Sequence, residues 1–174
     1  MKHFVVILSV LFSLQYAQAV APVDERMKAM FIYNFSNFVQ WPDSAFTSKN
    51  ANLKICLYGN VPFSGDMIFF EGVPVRDRKL QFIITDERKD IESGCHILYV
   101  GIDQAKNLNS FFKNLNHNFV LSVGNVDEFV QQGGILNILR TSDQRKFEIN
   151  LQKAQKNGLS MSSDLLELAR IINQ

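Results

Sequence analysis

The stretch Met27 to Trp41, MKAMFIYNFSNFVQW, limits what this chain can fold into more than any other. At about 100° per residue, Met27, Met30, Phe31, Phe38 and Trp41 converge on one side of a helix. Phe35, Val39 and Ile32 widen that side, leaving Ser36, Gln40, Tyr33 and Asn37 for the opposite face. A helix this apolar either lies in a core with elements on two sides or offers part of itself to a partner. Asp24 and Glu25 sit where the positive end of the helix dipole favours anions, and Pro42 forbids continuation past Trp41. Asn34 points along the apolar direction. A buried amide is costly unless hydrogen-bonded, so Asn34 is expected to tie the helix to a backbone turn as a structural polar group, with a ligand contact as the alternative.

Met1 to Ala19 reads as a secretory signal. Lys2 and His3 give a basic start, Phe4 to Leu14 an apolar run, and Ala17-Gln18-Ala19 a small-x-small cleavage pattern. The run is short for a membrane span, which needs ~20 residues. No cysteine follows the cleavage site, so no lipid or other membrane anchor is expected. Val20 to Gln174 is then one exported domain, and a sequence that is 47% hydrophobic over its full length leaves it enough apolar residues to close a core without metals. The 18 basic and 17 acidic side chains become equal in number once Lys2 leaves with the signal. A neutral chain without a basic stripe has no electrostatic footprint for nucleic acid. Two cysteines, Cys56 and Cys95, enter an oxidising compartment, where an even count favours a bridge. Two buried thiols are the alternative, since spacing alone does not bring the sulfurs together.

Strand and helix signals alternate along the chain. Leu53–Tyr58, Leu80–Thr85, Cys95–Val100, Phe119–Val123, Gly134–Leu139 and Lys146–Leu151 read as strands. The segments up to Glu71, Asp86–Glu92 and Asp103–Leu115 read as helical or charged connections. Asn125 is placed to cap a short helix ending near Gly133. Phe147, Ile149 and Leu151 alternate with Lys146, Glu148 and Asn150, as in a half-buried antiparallel strand near an edge. Ser162 or Ser163 caps a C-terminal helix with Leu165, Leu168, Ala169 and Ile172 on its buried face. The expected fold is α/β: a three-layer sandwich, with a mostly parallel mixed sheet of about six strands and helices on both faces.

Catalytic signals are poor. His96 lies in a strand beside Cys95, and adjacent strand residues face opposite sides, so they form no ready metal pair. His117 sits in a polar turn. No HExxH, CxxC or GxSxG occurs, and no catalytic residue, metal or cofactor is assigned. Gly59-Asn-Val-Pro-Phe-Ser-Gly65 follows a strand, as a phosphate loop does, but lacks that motif's ending. Gly59, Asn60 and Ser64 would line the pocket of an alternative function, a periplasmic small-ligand receptor. The remaining feature is surplus apolar surface on the first and last helices and at Phe69-Phe70. Ile32, Tyr33, Phe69, Phe70, Leu166 and Ile171 are the expected partner or dimer contacts, each turned from its helix's main buried direction.

Several segments together resemble the YfiR family of periplasmic proteins: Met27–Pro42, Lys54–Phe63, Ser93–Gly101, Val120–Ile138 and Phe147–Arg170. The match runs over almost the whole mature chain in order. The resemblance implies a small exported α/β domain without catalytic residues, in the periplasm. Such a domain binds the periplasmic sensor region of an inner-membrane diguanylate cyclase and represses it, lowering cyclic di-GMP and biofilm formation. It also implies self-association as a homodimer, and Cys56 and Cys95 match a cysteine pair of the family. Some members carry a second pair linked to redox control; this chain has none, since no cysteine follows Cys95.

Overall fold

In the computed structural model, the structure describes residues 25–115, 118–140 and 144–173. The signal segment Met1–Ala19, the dipole position of Asp24 and the turn at His117 lie outside them. The chain opens with α1 (Glu25–Phe38), followed by β1 (Val39–Gln40) and a 3-10 turn at Asp43–Ala45. Next come β2 (Leu53–Tyr58), a 3-10 helix (Asp66–Phe70), β3 (Pro74–Val75), β4 (Arg78–Thr85), α2 (Arg88–Glu92) and β5 (Ile97–Val100). A 3-10 segment (Ile102–Asn107) runs into α3 (Leu108–Asn114), then β6 (Leu121–Gly124), β7 (Leu136–Ile138), β8 (Phe147–Ile149) and α4 (Leu151–Lys156). The chain closes with β9 (Ser160–Met161), α5 (Ser163–Glu167) and β10 (Ala169–Ile171).

The principal sheet has eight strands in the order β10-β8-β7-β6-β5-β2-β4-β3. Its centre, β4-β2-β5-β6-β7, is parallel, because each connection crosses a face of the sheet. β8 runs antiparallel to β7, and β3 antiparallel to β4. One core cluster packs α1, α4 and α5 onto one face; a second packs α2 and α3 onto the other. This is the expected α/β sandwich, with β3 and β10 added to the about six strands expected. The C-terminal segment accounts for one addition. After the single turn of α5, the chain straightens into β10, parallel to β8, where Lys146 N–H donates to Leu168 O (2.8 Å) and Ile172 N–H to Ile149 O (2.9 Å). Pairing a bare strand edge outweighs continuing a short helix. Leu168, expected to be buried, is left exposed. Glu148, expected in solvent, is buried beside Arg170 of β10, which bonds its carboxylate.

α1 is buried through Ala29, Ile32, Phe35 and Ser36, while Met27 and Met30 are each 48% exposed. The buried arc is thus rotated from the expected one. The arc chosen carries the small residues Ala29 and Ser36, which let the helix approach the sheet. Phe31 and Phe35 then close edge-on over Phe147, with ring centroids 5.0 and 5.2 Å away. The buried polar group of α1 is Ser36, whose hydroxyl donates to Tyr33 O; Asn34 is only half-buried. The helix stops at Phe38 because Val39 and Gln40 pair with β9, and Pro42 biases Trp41 toward extended backbone. The Trp41 indole donates to Phe119 O at 2.9 Å. Residues 125–133 form turns, not the expected helix. The Asn125 amide donates to Ile138 O (2.6 Å), and fully buried Phe129 fills the space beside Gly124 and Gly134.

Cys56 on β2 and Cys95 just before β5 are bridged, with Cα atoms 5.9 Å apart. Both sit inside the second core cluster, so the bridge ties the neighbouring strands β2 and β5 together on the face that α2 and α3 cover.

Candidate functional site

β2 is followed by Gly59, whose φ of 81° turns the chain across the first core. Val61, Phe63 and Met67 are buried on that path, Phe63 meeting Tyr99 edge-on at 4.9 Å. The next segment, Asp66–Phe70, is a 3-10 helix with three residues per turn. Met67 and Phe70 therefore share its inner side, and the two residues between them are turned out. Ile68 is 71% and Phe69 78% exposed. Phe70 stacks on Tyr33 of α1, with centroids 4.7 Å apart and planes 16° from parallel.

β4 borders this segment. Its Ile84 is 63% exposed, and with Phe82, Met67 and Ile68 it lines an apolar groove of about 460 Å³ whose rim carries Ser64 and Glu71. The backbone of the same strand is only partly covered. β3 pairs with Arg78 and Lys79 alone, Leu80 exchanges bonds with Gly72 and Val73, and Phe82 N–H donates to the Glu71 carboxylate at 2.9 Å. Thr85 O accepts from Gly59 N–H on the β2 side. Alternation then turns the N–H and C=O of Ile84 away from β2, where among the described residues they meet no partner.

The expected contact residues fall into separate places. Ile32 is fully buried under the sheet face, so it leaves the set of candidate contacts; the rotation of α1 carried it inward. Tyr33 and Phe70 are half-buried and cover each other, while Phe69 stands free beside them. Leu166 packs half-buried on the first core. Ile171, 36% exposed, lies on β10 at the opposite edge of the sheet. Ile68 and Ile84 complete the apolar surface, and the sequence reading missed both. The three-residue period after Asp66 and the run Leu80, Phe82, Ile84 on one strand face are the signals that carry them.

Phe69 and Phe70 therefore separate on substitution. Phe69→Ser is expected to leave urea stability within ~0.5 kcal/mol, as exposed positions do. Phe70→Ser removes a ring packed on Tyr33 and the core and is expected to cost roughly 2–3 kcal/mol. Equal losses in the two variants contradict this division.

The alternative pocket residues are likewise divided. Asn60 faces a cleft of about 260 Å³ at the carboxyl ends of the strands, with Tyr99, Arg140 and the Glu25–Lys28 ion pair (2.6 Å). Asn60 N–H donates to the Asp103 carboxylate at 2.8 Å. Gly59 is closed over by that side chain and Gln104, which a Cβ would meet at 2.7 and 2.5 Å. Ser64 belongs to the apolar groove instead.

His96 is committed to structure. Its Nδ1 accepts from Lys54 N–H (3.0 Å), and its Nε2 meets Ala45 O (3.1 Å). Phe46 stacks on the ring at 4.4 Å. Burial holds its pKa down to about 4, the Ala45 carbonyl opposing and the charges of Lys54 and Arg78 adding to the shift. Among the described residues no cluster of three His, Cys, Asp or Glu could hold a metal ion. No helix among them is long and apolar enough to cross a membrane.

A YfiR/HmsC-like family model matches residues 25–170. No curated protein matches the sequence. Among solved structures, the ABC domain from Streptococcus pneumonia in complex with L-Trp is similar, with 12% identity and a TM-score of 0.47. The similarity covers 70% of this chain, which spans about half (55%) of that one.

Proposed function

Because the chain belongs to the YfiR/HmsC-like family, we propose that it represses an inner-membrane diguanylate cyclase by binding that enzyme's periplasmic sensor region. Membership supports, for the family, a periplasmic regulator of diguanylate cyclase. The observation that carries the finer reading is the apolar surface of Ile68, Phe69 and Ile84, exposed beside a partly open strand edge. Exposed apolar surface of this kind marks protein contact more often than catalysis. Repression then works by differential affinity: the domain holds the inactive sensor more tightly than the active one and shifts the cyclase toward inactivity. Export through cleavage after Ala19 and assembly as a homodimer belong to the same reading.

Deleting the gene is expected to raise cellular cyclic di-GMP and biofilm, and the rise should vanish when one particular cyclase is also deleted. Unchanged cyclic di-GMP with every cyclase expressed contradicts the proposal. The cleft at Asn60 favours a second reading, a receptor for a small periplasmic ligand. It lies where the strand order reverses between β2 and its neighbours, the place where open α/β sheets bind ligands. A metabolite that co-purifies with the periplasmic protein and is displaced by Asn60→Trp would establish that reading.

A further inference from the structure

We infer that the apolar groove is the seat of an extended strand from the partner protein, which adds to the sheet at β4 and carries a basic side chain opposite Glu71. The inference deepens the proposed function and rests on it for the partner's identity. Three observations specify an extended segment over a helix. The Ile84 N–H and C=O point outward together, one donor and one acceptor at the spacing a neighbouring strand supplies. The Phe82 N–H on the same edge is held by a side chain, the Glu71 carboxylate, where a strand would offer a carbonyl. The groove beside this edge is lined by Met67, Ile68, Phe82 and Ile84, so alternate side chains of an added strand enter apolar surface.

Glu71 acts as a placeholder. It satisfies one edge amide in the free protein and discourages promiscuous edge pairing by its charge. When the incoming strand's carbonyl takes the Phe82 N–H, the exposed carboxylate is released at the groove's rim, where its charge attracts a cation on the strand and repels an anion. A partner strand with a lysine or arginine at that position supplies the cation; an acidic strand is rejected. The partner chemistry is thus alternating apolar residues with a basic residue at the groove's rim.

The probe is an acetylated and amidated octapeptide alternating valine with lysine and threonine, titrated by fluorescence anisotropy into the full mature chain. Its control is the same peptide with the amides of one edge N-methylated. The expected result is that methylation weakens binding at least ~10-fold, since two backbone bonds are lost. Ile84→Pro should weaken binding similarly while keeping the fold, because proline is tolerated where an edge N–H faces solvent. Glu71→Lys should weaken it further through repulsion of the peptide's lysines. Equal affinities of the two peptides, or full affinity in a folded Ile84→Pro variant, overturn the inference.

If Ile84→Pro unfolds, hydrogen exchange at the Ile84 amide of the unaltered protein replaces it: slowing by the peptide supports the inference, and unchanged exchange overturns it. Concentration-dependent protection of Ile84 without peptide would identify a second copy as the occupant and also overturns it. The proposed function is judged separately by cyclic di-GMP. Repression that survives Ile84→Pro removes the edge as the docking mode and leaves the regulator intact. Absence of any effect on gene deletion removes the regulator whatever the peptide does.

Discussion

The variant Cys56→Ala/Cys95→Ala is expected to be less stable than the oxidised protein by about 4 kcal/mol at 25 °C. The two cysteines are 39 residues apart, and closing a loop of that length removes entropy from the unfolded chain roughly as the logarithm of its size. The loop spans β2 to β5, so it takes in β3, β4 and α2. Without the bridge, that whole excursion must be ordered by packing alone. Urea unfolding of the oxidised protein and the double variant measures the difference. Prolonged treatment with a reductant under native conditions should act slowly, because Cys56 and Cys95 are both buried and a thiolate must reach the sulfur. A difference below ~1 kcal/mol contradicts this account of the bridge.

Acidification is expected to loosen the start of β2 through His96. The ordinary histidine pKa is 6.5, and burial lowers it to about 4 in the folded protein. As pH falls, the unfolded chain therefore takes up the proton first. The contribution of His96 is fully present above about pH 6.5 and is lost as pH falls toward 4. The full span is of order 3 kcal/mol. The structural cause is specific: protonated Nδ1 no longer accepts the Lys54 N–H, and the new charge faces both Lys54 and Arg78. Arg78 is itself anchored, its guanidinium lying 3.4 Å from the Phe46 ring centroid and donating to Ala51 O at 2.8 Å. Trp41, the chain's single tryptophan, lies edge-on to His96 at 6.4 Å and reports the change by emission. Comparing His96→Gln with the unaltered chain between pH 7 and 4 isolates this group from the carboxylates. The unaltered chain should lose more stability across that window, and parallel curves contradict the assignment.

Much of the architecture was legible because strand and helix periods are local. Leu53–Tyr58, with its alternating residues, and the uniformly apolar Ile97–Val100 became β2 and β5, in the centre of the sheet. The errors have a common origin in competition between elements. Nothing in α1 alone says whether Met30 or Ala29 meets the sheet, because both arcs are apolar. The sheet decided, by admitting the helix closely along its small residues. Leu168–Ile172 has a helical pattern and an extended one, and the unpaired edge of β8 selected the latter. Glu148 looked solvated because its buried environment is made by Arg170, twenty-two residues later. The candidate surface was half legible: Phe69 followed from its adjacency to Phe70, whereas Ile84 required knowing that β3 is too short to cover β4.

The proposed contact places the apolar surface around Phe69 against the sensor region of a membrane cyclase. Its most direct test is a photo-crosslinkable phenylalanine analogue placed at residue 69 in the exported protein in living cells, with the same analogue at residue 171 as control. An adduct is expected from residue 69 whose bound chain is a diguanylate cyclase, crosslinked within its periplasmic region, and none from residue 171. A cyclase adduct from residue 171 alone, or none from residue 69 while repression persists, contradicts it.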